Sequence, residues 1–328
     1  MSSPRNWSEL IHRAVQRRQE LIADASTDSF RLFHGYGEGC PGLVIEKFGD
    51  LIVIDHKFEL EAEAESLVKA IDKVIESKVI ITKGHQSLRT KLKKRFIVRK
   101  GKLEEANISC QERGIPYDIR PNTPHNLGLY FDTRDSRAWL RKNSADCRVL
   151  NLFAFTGSLG LSSILGGAKE VVHLDRSAEL LSRMQSNYEL NGKKWDGRSF
   201  LKGDIYKHLP RAIKAGKKFD GIILDPPPKV YSSPHASNAP RGQDFGQLVH
   251  LCSQLLSEQG WLMCFFHRFD LSRDQFENEV LKNTHLPLLV SERLSSGIDF
   301  PEDNPEHKLR VSIFTRASSQ KNGQPTEV

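Results

Sequence analysis

Three aspartates follow three successive apolar runs in the second half of the 328-residue chain. Asp175 ends the run 170–174, Asp204 follows the run 199–202, and Asp225 ends the run 219–224. Such runs are typical of parallel strands, whose carboxyl ends meet at one edge of a sheet and bind ligands there. Each aspartate is also a common helix cap after a strand. The repeated placement on successive strands favours a shared binding site.

The strand before these three ends in Asn151-Leu-Phe-Ala-Phe-Thr-Gly157, and Gly160 follows. Glycine at a strand-to-helix turn lets the backbone approach a ligand closely. The spacing differs from the Gly-x-Gly-x-x-Gly motif that binds pyrophosphate, which favours a nucleoside without phosphate over a nicotinamide or flavin. In this interpretation Asp175 accepts hydrogen bonds from a ribose diol, and Asp204 addresses an adenine edge.

A rigid catalytic loop is predicted directly after the fourth strand. Asp225 is followed there by Pro226 and Pro227. Prolines remove backbone donors and stiffen the chain. The carboxylate of Asp225 and the nearby carbonyls are therefore expected at a fixed position beside the bound ligand.

The carboxyl-terminal half must supply a parallel sheet to position these residues. Strands are predicted at 149–153, 170–174, 199–202, 219–224 and 261–266, each followed by a turn and a helical segment. This alternation is typical of an α/β fold with helices on both faces of the sheet. Two later strands, at 288–294 and 308–315, are predicted to close it.

The amino-terminal part has a different texture. An amphipathic helix is predicted after a cap at Asn6 or Ser8, followed by a turn-rich stretch at 31–42 and two strands joined at Gly49-Asp50. A helix at 61–76 and strands near 79–82 and 96–99 complete the pattern. We therefore predict a small α+β domain at 1–120, an α/β domain at 121–318 and a disordered tail at 319–328.

The composition favours a polyanionic partner, because the net charge is +7 and the isoelectric point is near 9.1. The stretch 83–102 concentrates positive charge in Arg89, Lys91, Lys93, Lys94 and Arg95. It is either a solvated loop or a phosphate-binding segment.

The cellular location and the redox state of the cysteines are predicted from features that the sequence lacks. No apolar run approaches the roughly 18 residues that cross a bilayer, so a cytoplasmic or organelle-stromal location is expected. The five scattered cysteines predict reduced thiols, with neither a disulfide nor a metal site. The oligomeric state, monomer or homodimer, is left open.

Several segments together resemble a known family. Asn126-Leu-Gly-Leu-Tyr-Phe-Asp-Thr-Arg134 is similar to the Thr-Gly-Leu-Phe-Leu-Asp-Gln-Arg segment of bacterial large-subunit rRNA methyltransferases, which include 5-methylcytosine and 7-methylguanine enzymes. The segment 151–157, Asp225-Pro-Pro, Pro305-Glu306 and the region 30–50 extend the resemblance over most of the chain. It implies a Rossmann-like, seven-stranded class I methyltransferase domain, with S-adenosylmethionine as methyl donor and RNA as substrate.

The resemblance also implies site residues. The S-adenosylmethionine pocket would be lined by Phe153, Phe155, Thr156, Gly157, Asp175, Arg176, Asp204 and Asp225. Asp132 and Arg134 would order that pocket or touch the cofactor, or they form a salt-bridged turn. Many members begin with an RNA-binding PUA domain, for which no room is expected before Leu10. RNA binding would then depend on the small domain and its basic stretch.

The methylated atom depends on whether a thiolate is present. Enzymes that methylate cytosine C5 first add a cysteine to the base, and in that branch the cysteine ends the fifth strand. Here His267 stands near that position, and Cys264 is interpreted as a buried, inert thiol. A ring nitrogen such as guanine N7 is therefore favoured. His267 is a proton acceptor, a phosphate contact or a strand cap, and Tyr231 or Phe266 could stack on a flipped base.

Three alternatives stay open. The enzyme could methylate tRNA or protein, or the chain could be an inactive RNA-binding factor for ribosome assembly with the same fold. A Rossmann oxidoreductase is the third alternative, and tight binding of NADH without binding of S-adenosylhomocysteine would support it.

Overall fold

In the computed structural model, which describes residues 5–84, 96–105, 109–123, 126–231, 244–268 and 270–316, the chain forms two large sheets and one hairpin. The first sheet contains, in spatial order, β1 (Ser29–His34), β2 (Leu43–Phe48), β3 (Leu51–His56), β4 (Val79–Gly84) and β5 (Ile97–Lys100). Strands β3 and β4 pair in parallel, and the other neighbours are antiparallel.

Three helices accompany this sheet: α1 (Trp7–Arg17), α2 (Gln19–Ala23) and α3 (Glu61–Asp72). The predicted first helix is confirmed, because the side chain of Asn6 accepts a hydrogen bond from the Glu9 backbone at 3.3 Å and caps α1. Trp7 and Ile11, one turn apart, are buried in the same apolar cluster as the core-facing side of α3. This packing fixes both helices on the sheet.

Three features of this region differ from what the sequence predicts. The stretch 31–42 was expected to consist of turns, but its first residues belong to β1, where a bulge between Arg31 and Phe33 breaks the strand alternation. The hairpin of β6 (Ser109–Glu112) and β7 (Ile115–Asp118) was not predicted. Helix α3 ends four residues before its expected end at residue 76.

The second sheet has the spatial order β10-β9-β8-β11-β12-β14-β13. Its strands are β8 (Arg148–Leu152), β9 (Glu170–Asp175), β10 (Phe200–Lys202), β11 (Phe219–Leu224), β12 (Leu256–Phe266), β13 (Leu288–Ser295) and β14 (Arg310–Arg316). Strands β8 to β12 run in parallel and β14 is antiparallel to both neighbours. The predicted Rossmann-like α/β sheet of seven strands is therefore confirmed.

Helix α4 (Arg134–Asn143) precedes β8, and among the described residues five helices connect the strands: α5 (Ser158–Leu165), α6 (Ala178–Leu190), α7 (Ile205–Lys214), α8 (Phe245–Leu255) and α9 (Arg273–Asn283). One buried apolar cluster contains residues of α7, α8 and α9, and another contains residues of α4 and α5. Among the described residues, no helix is both long and apolar enough to cross a membrane.

The first sheet packs against the carboxyl-terminal half of the chain through a continuous apolar layer. Phe48 and Leu51 of the first sheet belong to the same buried cluster as Tyr117 of the hairpin and Phe131, which precedes α4. The rings of Phe48 and Phe131 lie 4.8 Å apart. The first sheet therefore lies close to the carboxyl-terminal edge of the large sheet. The domain boundary at residue 120 stays a prediction.

Candidate active site

The loop after β8 has an unusual backbone. Phe153 and Phe155 have φ angles of 56° and 51°, in the left-handed region that side chains normally avoid, and Gly157 has φ 78°. Such conformations are found where the surrounding structure imposes them, often at functional sites. The loop lies at the carboxyl edge of the parallel strands, where the sequence placed the cofactor pocket.

Hydrogen bonds hold this loop against its neighbours. The Phe155 backbone donates to Asp175 Oδ2 at 3.1 Å, and the Thr156 hydroxyl donates to the Gly128 carbonyl at 2.6 Å. The other oxygen of Asp175 accepts from the Ser177 backbone at 2.9 Å. The half-buried carboxylate is thus fixed in direction, and each of its oxygens keeps capacity for one more donor.

Asp204 begins helix α7. Its Oδ1 accepts from the Tyr206 backbone at 2.9 Å, while Oδ2 forms an ion pair with the exposed guanidinium of Arg176. The helix-cap alternative considered for this residue is therefore realised. Because Arg176 follows Asp175 directly, the ion pair joins the ends of β9 and β10.

Asp225 and His267 meet at the ends of β11 and β12. Nε2 of His267 donates to Oδ1 of Asp225 at 2.6 Å, and both side chains are largely buried. Burial lowers the pKa of His267, but the charge and the hydrogen bond of Asp225 and the charge of Asp132 outweigh it and raise the pKa above 6.5. The contact with Asp225 therefore favours the protonated imidazole of His267. Pro226 and Pro227 follow directly and fix the loop.

Asp132 and Arg134 have different surroundings although they are two residues apart. Oδ1 of Asp132 is buried and accepts no hydrogen bond within the described part of the chain. Burial raises the pKa of this carboxyl group, and the charges that act on it include Arg31, His267 and Asp225. Arg134 instead donates to Glu112 at 3.2 Å and to Asp299 at 2.9 Å, in a buried salt-bridge network. Asp132 thus lies in the pocket, whereas the guanidinium of Arg134 is engaged outside it.

Tyr130 belongs to the same pocket and was not singled out from the sequence. Its side chain is 45% exposed, and its ring lies 5.0 Å from that of Phe155. Partial burial and the nearby charges of Asp132 and Asp225 raise its pKa to about 12, so it stays an uncharged phenol. Its position between Asp132 and the strained loop could only be found by placing the segment 126–134 on the sheet.

Two candidates for base stacking have different outcomes. Phe266 is buried and its ring stacks on Phe276 at 4.4 Å, so the prediction that it could hold a base was wrong. The side chain of Tyr231 lies outside the described part of the structure.

Cys264 is fully buried and burial raises the pKa of its thiol, which confirms the inert interpretation. The predicted RNA-binding residues lie outside the described residues: Arg89, Lys91, Lys93, Lys94 and Arg95.

Comparisons with known proteins agree with this geometry. The family model for S-adenosylmethionine-dependent methyltransferases matches residues 31–315. A Shigella boydii protein named ribosomal RNA large subunit methyltransferase I is 31% identical over 277 residues, which cover 83% of this chain and 69% of the relative.

Two solved structures share the fold. A methyltransferase crystallised with S-adenosylhomocysteine superposes with a TM-score of 0.82 at 20% identity, covering 94% of this chain and 80% of its own. A tRNA m1G37 methyltransferase of M. jannaschii gives a TM-score of 0.57 at 13% identity, covering 94% of this chain and 78% of its own. With the family match over residues 31–315, these findings show that the chain belongs to the S-adenosylmethionine-dependent methyltransferases.

Proposed function

We propose that this methyltransferase modifies a base of ribosomal RNA, at a ring nitrogen such as guanine N7. Relatives that share about a third of their aligned residues with this chain are named ribosomal RNA large subunit methyltransferase I. The net charge of +7 suits a polyanionic substrate. A ribosome-directed enzyme is expected in the cytoplasm or an organelle stroma.

The residues at the carboxyl edge fit S-adenosylmethionine, which supplies the methyl group from its sulfonium. The unpaired Oδ1 of Asp132 is an acceptor for the ammonium of the methionine portion. Asp175, with one backbone donor on each oxygen, can accept from the ribose hydroxyls, and Asp204, at the helix start after the next strand, would face the adenine edge. Phe153, Phe155 and Gly157 supply the closely approaching backbone.

The choice of a nitrogen depends on one observation, the Asp225–His267 pair at the ends of β11 and β12. A carbon such as cytosine C5 requires a thiolate to attack the neighbouring ring atom. At this strand end stands His267, and Cys264 lies inside β12 with its thiol fully buried. The site therefore lacks a thiol within reach among its described residues.

Methylation of guanine N7 requires no free base at this strand end. With S-adenosylmethionine bound, the N7 lone pair would form the new bond to carbon, the electrons of the broken bond would stay on sulfur, and the positive charge would pass to the purine. Because no proton has to be removed, a His267 whose Nε2 already donates to Asp225 suits this reaction. The carboxylate of Asp225 stabilises the charge that develops on the base.

Tyr130 is proposed to hold the base. Its exposed ring beside Phe155 offers a flat surface at the mouth of the pocket. Enzymes that act on a base take it out of the stack and hold it against aromatic side chains. Tyr130 replaces the buried Phe266 in this role.

The test combines genetics and chemistry. Ribosomal RNA from cells lacking the gene should lack one methylated base, and the purified enzyme should restore it on that RNA as 7-methylguanosine, identified by mass spectrometry of the nucleosides. Asp225→Ala should abolish transfer with the fold intact, whereas Cys264→Ala should leave transfer largely unchanged. If the product is 5-methylcytidine and Cys264→Ala is inactive but folded, the nitrogen assignment is wrong.

The tRNA alternative is favoured by one observation, the fold shared with the M. jannaschii tRNA enzyme. Offering tRNA from the same deletion strain in the same assay decides between the substrates. Methylation of tRNA or of ribosomal protein with unmodified rRNA left untouched would replace the rRNA proposal. Absence of transfer to any of the three, with S-adenosylhomocysteine still bound, would favour the inactive RNA-binding factor.

A further inference from the structure

We propose that Tyr36, Arg13 and Arg17 form a second RNA contact, the Tyr36 surface, which binds single-stranded RNA flanking the target base. Tyr36 stacks on one base, and the two arginines bind the adjoining phosphate. This inference rests on the proposed function, because it assumes an RNA substrate.

Tyr36 is the most exposed large apolar side chain in the described part of the chain. It is 77% exposed, while the next in the same set reaches 47%. It lies in a 3-10 turn, Gly35–Glu38, directly after β1. A solitary aromatic ring in water has no stabilising contact in the fold, and aromatic rings in such positions serve as stacking platforms for bases.

The turn that carries Tyr36 is fixed in place. A Cβ atom on Gly37 would lie 1.7 Å from the Pro301 carbonyl oxygen, so the turn packs directly on the connection between β13 and β14. Arg17 donates to the Gly37 carbonyl at 2.9 Å, and Glu38 accepts from the buried Arg18 at 2.7 and 2.8 Å. A platform held in this way loses little conformational entropy when a base stacks on it.

A groove of about 200 Å³ lies beside the turn, lined by Leu10, Arg13, Arg17 and residues 37–39. The side chains of Arg13 and Arg17, one helical turn apart, are 59% and 51% exposed. Glu38 also lines the groove; its buried carboxylate pairs closely with Arg18 at 2.7 Å and only at 3.7 Å with Arg17. The Arg13–Glu9 pair is long, at 4.0 Å, and exposed, so it competes weakly with a phosphate. Guanidinium groups bind phosphates through paired hydrogen bonds.

The Tyr36 surface lies at the edge of the large sheet that carries the active site. Arg310, at the start of β14, pairs with Phe266 at the end of β12 and with Ser295 at the end of β13. The loop between β13 and β14, on which the Tyr36 turn packs, therefore ends beside Phe266, the residue before His267, and starts one strand further away. Strand β1 also carries Arg31, whose charge acts on Asp132 in the pocket. Tyr36 follows Arg31 by five positions, at most about 18 Å of extended chain.

The chemistry favours RNA over a protein partner. Protein-binding patches are continuous and apolar over several hundred square ångströms. Here a single ring is surrounded by glycines and arginines, the combination that tracks single-stranded nucleic acid. The surface therefore extends RNA binding beyond the pocket for the target base.

The experiment measures RNA affinity and methyl transfer with the full chain. The variants are Tyr36→Ala, Tyr36→Phe and the double variant Arg13→Gln with Arg17→Gln. The control is Arg198→Gln, which removes an exposed arginine ahead of β10, at the opposite edge of the sheet. The probes are a fluorescein-labelled single-stranded RNA of mixed sequence and unmodified large-subunit rRNA.

Tyr36→Ala should weaken binding of the labelled RNA roughly tenfold, the usual loss for one stacked base, and Tyr36→Phe should retain it. The double variant should lower the slope of log affinity against log salt concentration by about 0.7, since the two arginines contact one phosphate and each phosphate contact on a single strand contributes about 0.7. With rRNA, KM should rise while kcat and the affinity for S-adenosylhomocysteine stay at the wild-type level.

Two failures are distinguishable. If the wild-type protein binds neither RNA, the proposed function itself is wrong. If the wild type binds and methylates rRNA while Tyr36→Ala and the double variant behave like Arg198→Gln, RNA is the substrate but the Tyr36 surface does not touch it.

Discussion

The carboxyl group of Asp132 lies near Asp225 and His267, and one of its oxygens accepts no hydrogen bond within the described residues. We expect Asp132→Asn to weaken binding of S-adenosylhomocysteine by about ten- to hundredfold, because a hydrogen bond to a charged group contributes about 1.5–3 kcal/mol. Titration calorimetry measures this loss.

The same substitution should leave the ligand-free protein equally or more stable. The folded pKa of Asp132 is raised by burial, so the ionised carboxylate costs stability at neutral pH, and the neutral amide removes that cost. The matched control is Asp135→Asn, an exposed carboxylate at the start of α4 that pairs with Arg113 at 3.1 Å. Unchanged affinity, or a loss of thermal stability in Asp132→Asn, would show that Asp132 is structural.

The Asp225–His267 pair predicts a pH dependence. His267 has a raised pKa, so its pairing stabilises the fold fully below pH 6.5 and ceases to do so as pH rises through the raised value. In an NMR titration, the His267 ring should titrate above 6.5, and Asp225→Asn should lower its midpoint. Asp220→Asn, which alters a carboxylate at the opposite end of β11, should leave it unchanged. A midpoint insensitive to Asp225→Asn would contradict the ion pair.

At the scale of elements, helix α5 packs unusually close to the sheet. A Cβ on Gly160 would lie 2.4 Å from the ring of His173 and 2.9 Å from Val171, both on β9. Gly160→Ala must therefore push α5 away from β9, and overpacking of this kind costs about 1–3 kcal/mol. Denaturant unfolding measures the loss. Gly197→Ala is the control, because a Cβ there meets only Trp195 at 3.8 Å; an equal stability for both variants would refute close packing as the reason for Gly160.

The same strand explains why the sequence predicted the large sheet well. Strands such as β9 and β11 each hold four consecutive buried residues because helices cover both faces, and such mainly apolar runs can be recognised without knowing the partners. The hairpin β6–β7 was not predicted because its strands have only four residues each, and the first strand, Ser-Cys-Gln-Glu, is mostly polar. Its register depends on contacts with α6 and β1, which no local pattern contains.

The site was predictable to a similar degree. Asp175 and Asp225 could be placed because each directly ends a strand, and strand ends converge whatever the details of packing. The direction in which a side chain points could not be predicted, since neighbouring residues at a strand end point to opposite faces of the sheet. Phe266 turns to Phe276 under α9, whereas His267 turns to Asp225. Tyr130 lies before a helix rather than on a strand, so it followed from neither rule.

At the scale of the whole molecule, buried charges join the two sheets. Asp299, in the loop between β13 and β14, accepts from Arg134 through Oδ1 at 2.9 Å and from the Arg31 backbone through Oδ2 at 3.0 Å. Its carbonyl accepts from Arg18 at 3.0 Å. The Tyr36 turn, strand β1 and the entry to α4 are therefore all positioned through one loop of the large sheet.

This arrangement predicts that Asp299→Asn destabilises the whole chain. Removing one partner of a buried ion pair costs about 3–5 kcal/mol, and a loss near the lower figure is expected because Arg134 keeps its ion pair with Glu112 at 3.2 Å. The loss should appear in denaturant unfolding, and hydrogen exchange should accelerate in β1, whose Arg31 amide loses a charged acceptor. The control is Asp303→Asn, an exposed aspartate four residues further along the same loop. If Asp299→Asn is as stable as Asp303→Asn and β1 stays equally protected, the sheets are held together by the apolar layer of Phe48 and Phe131 alone, and RNA binding at the Tyr36 surface would not depend on the charge network.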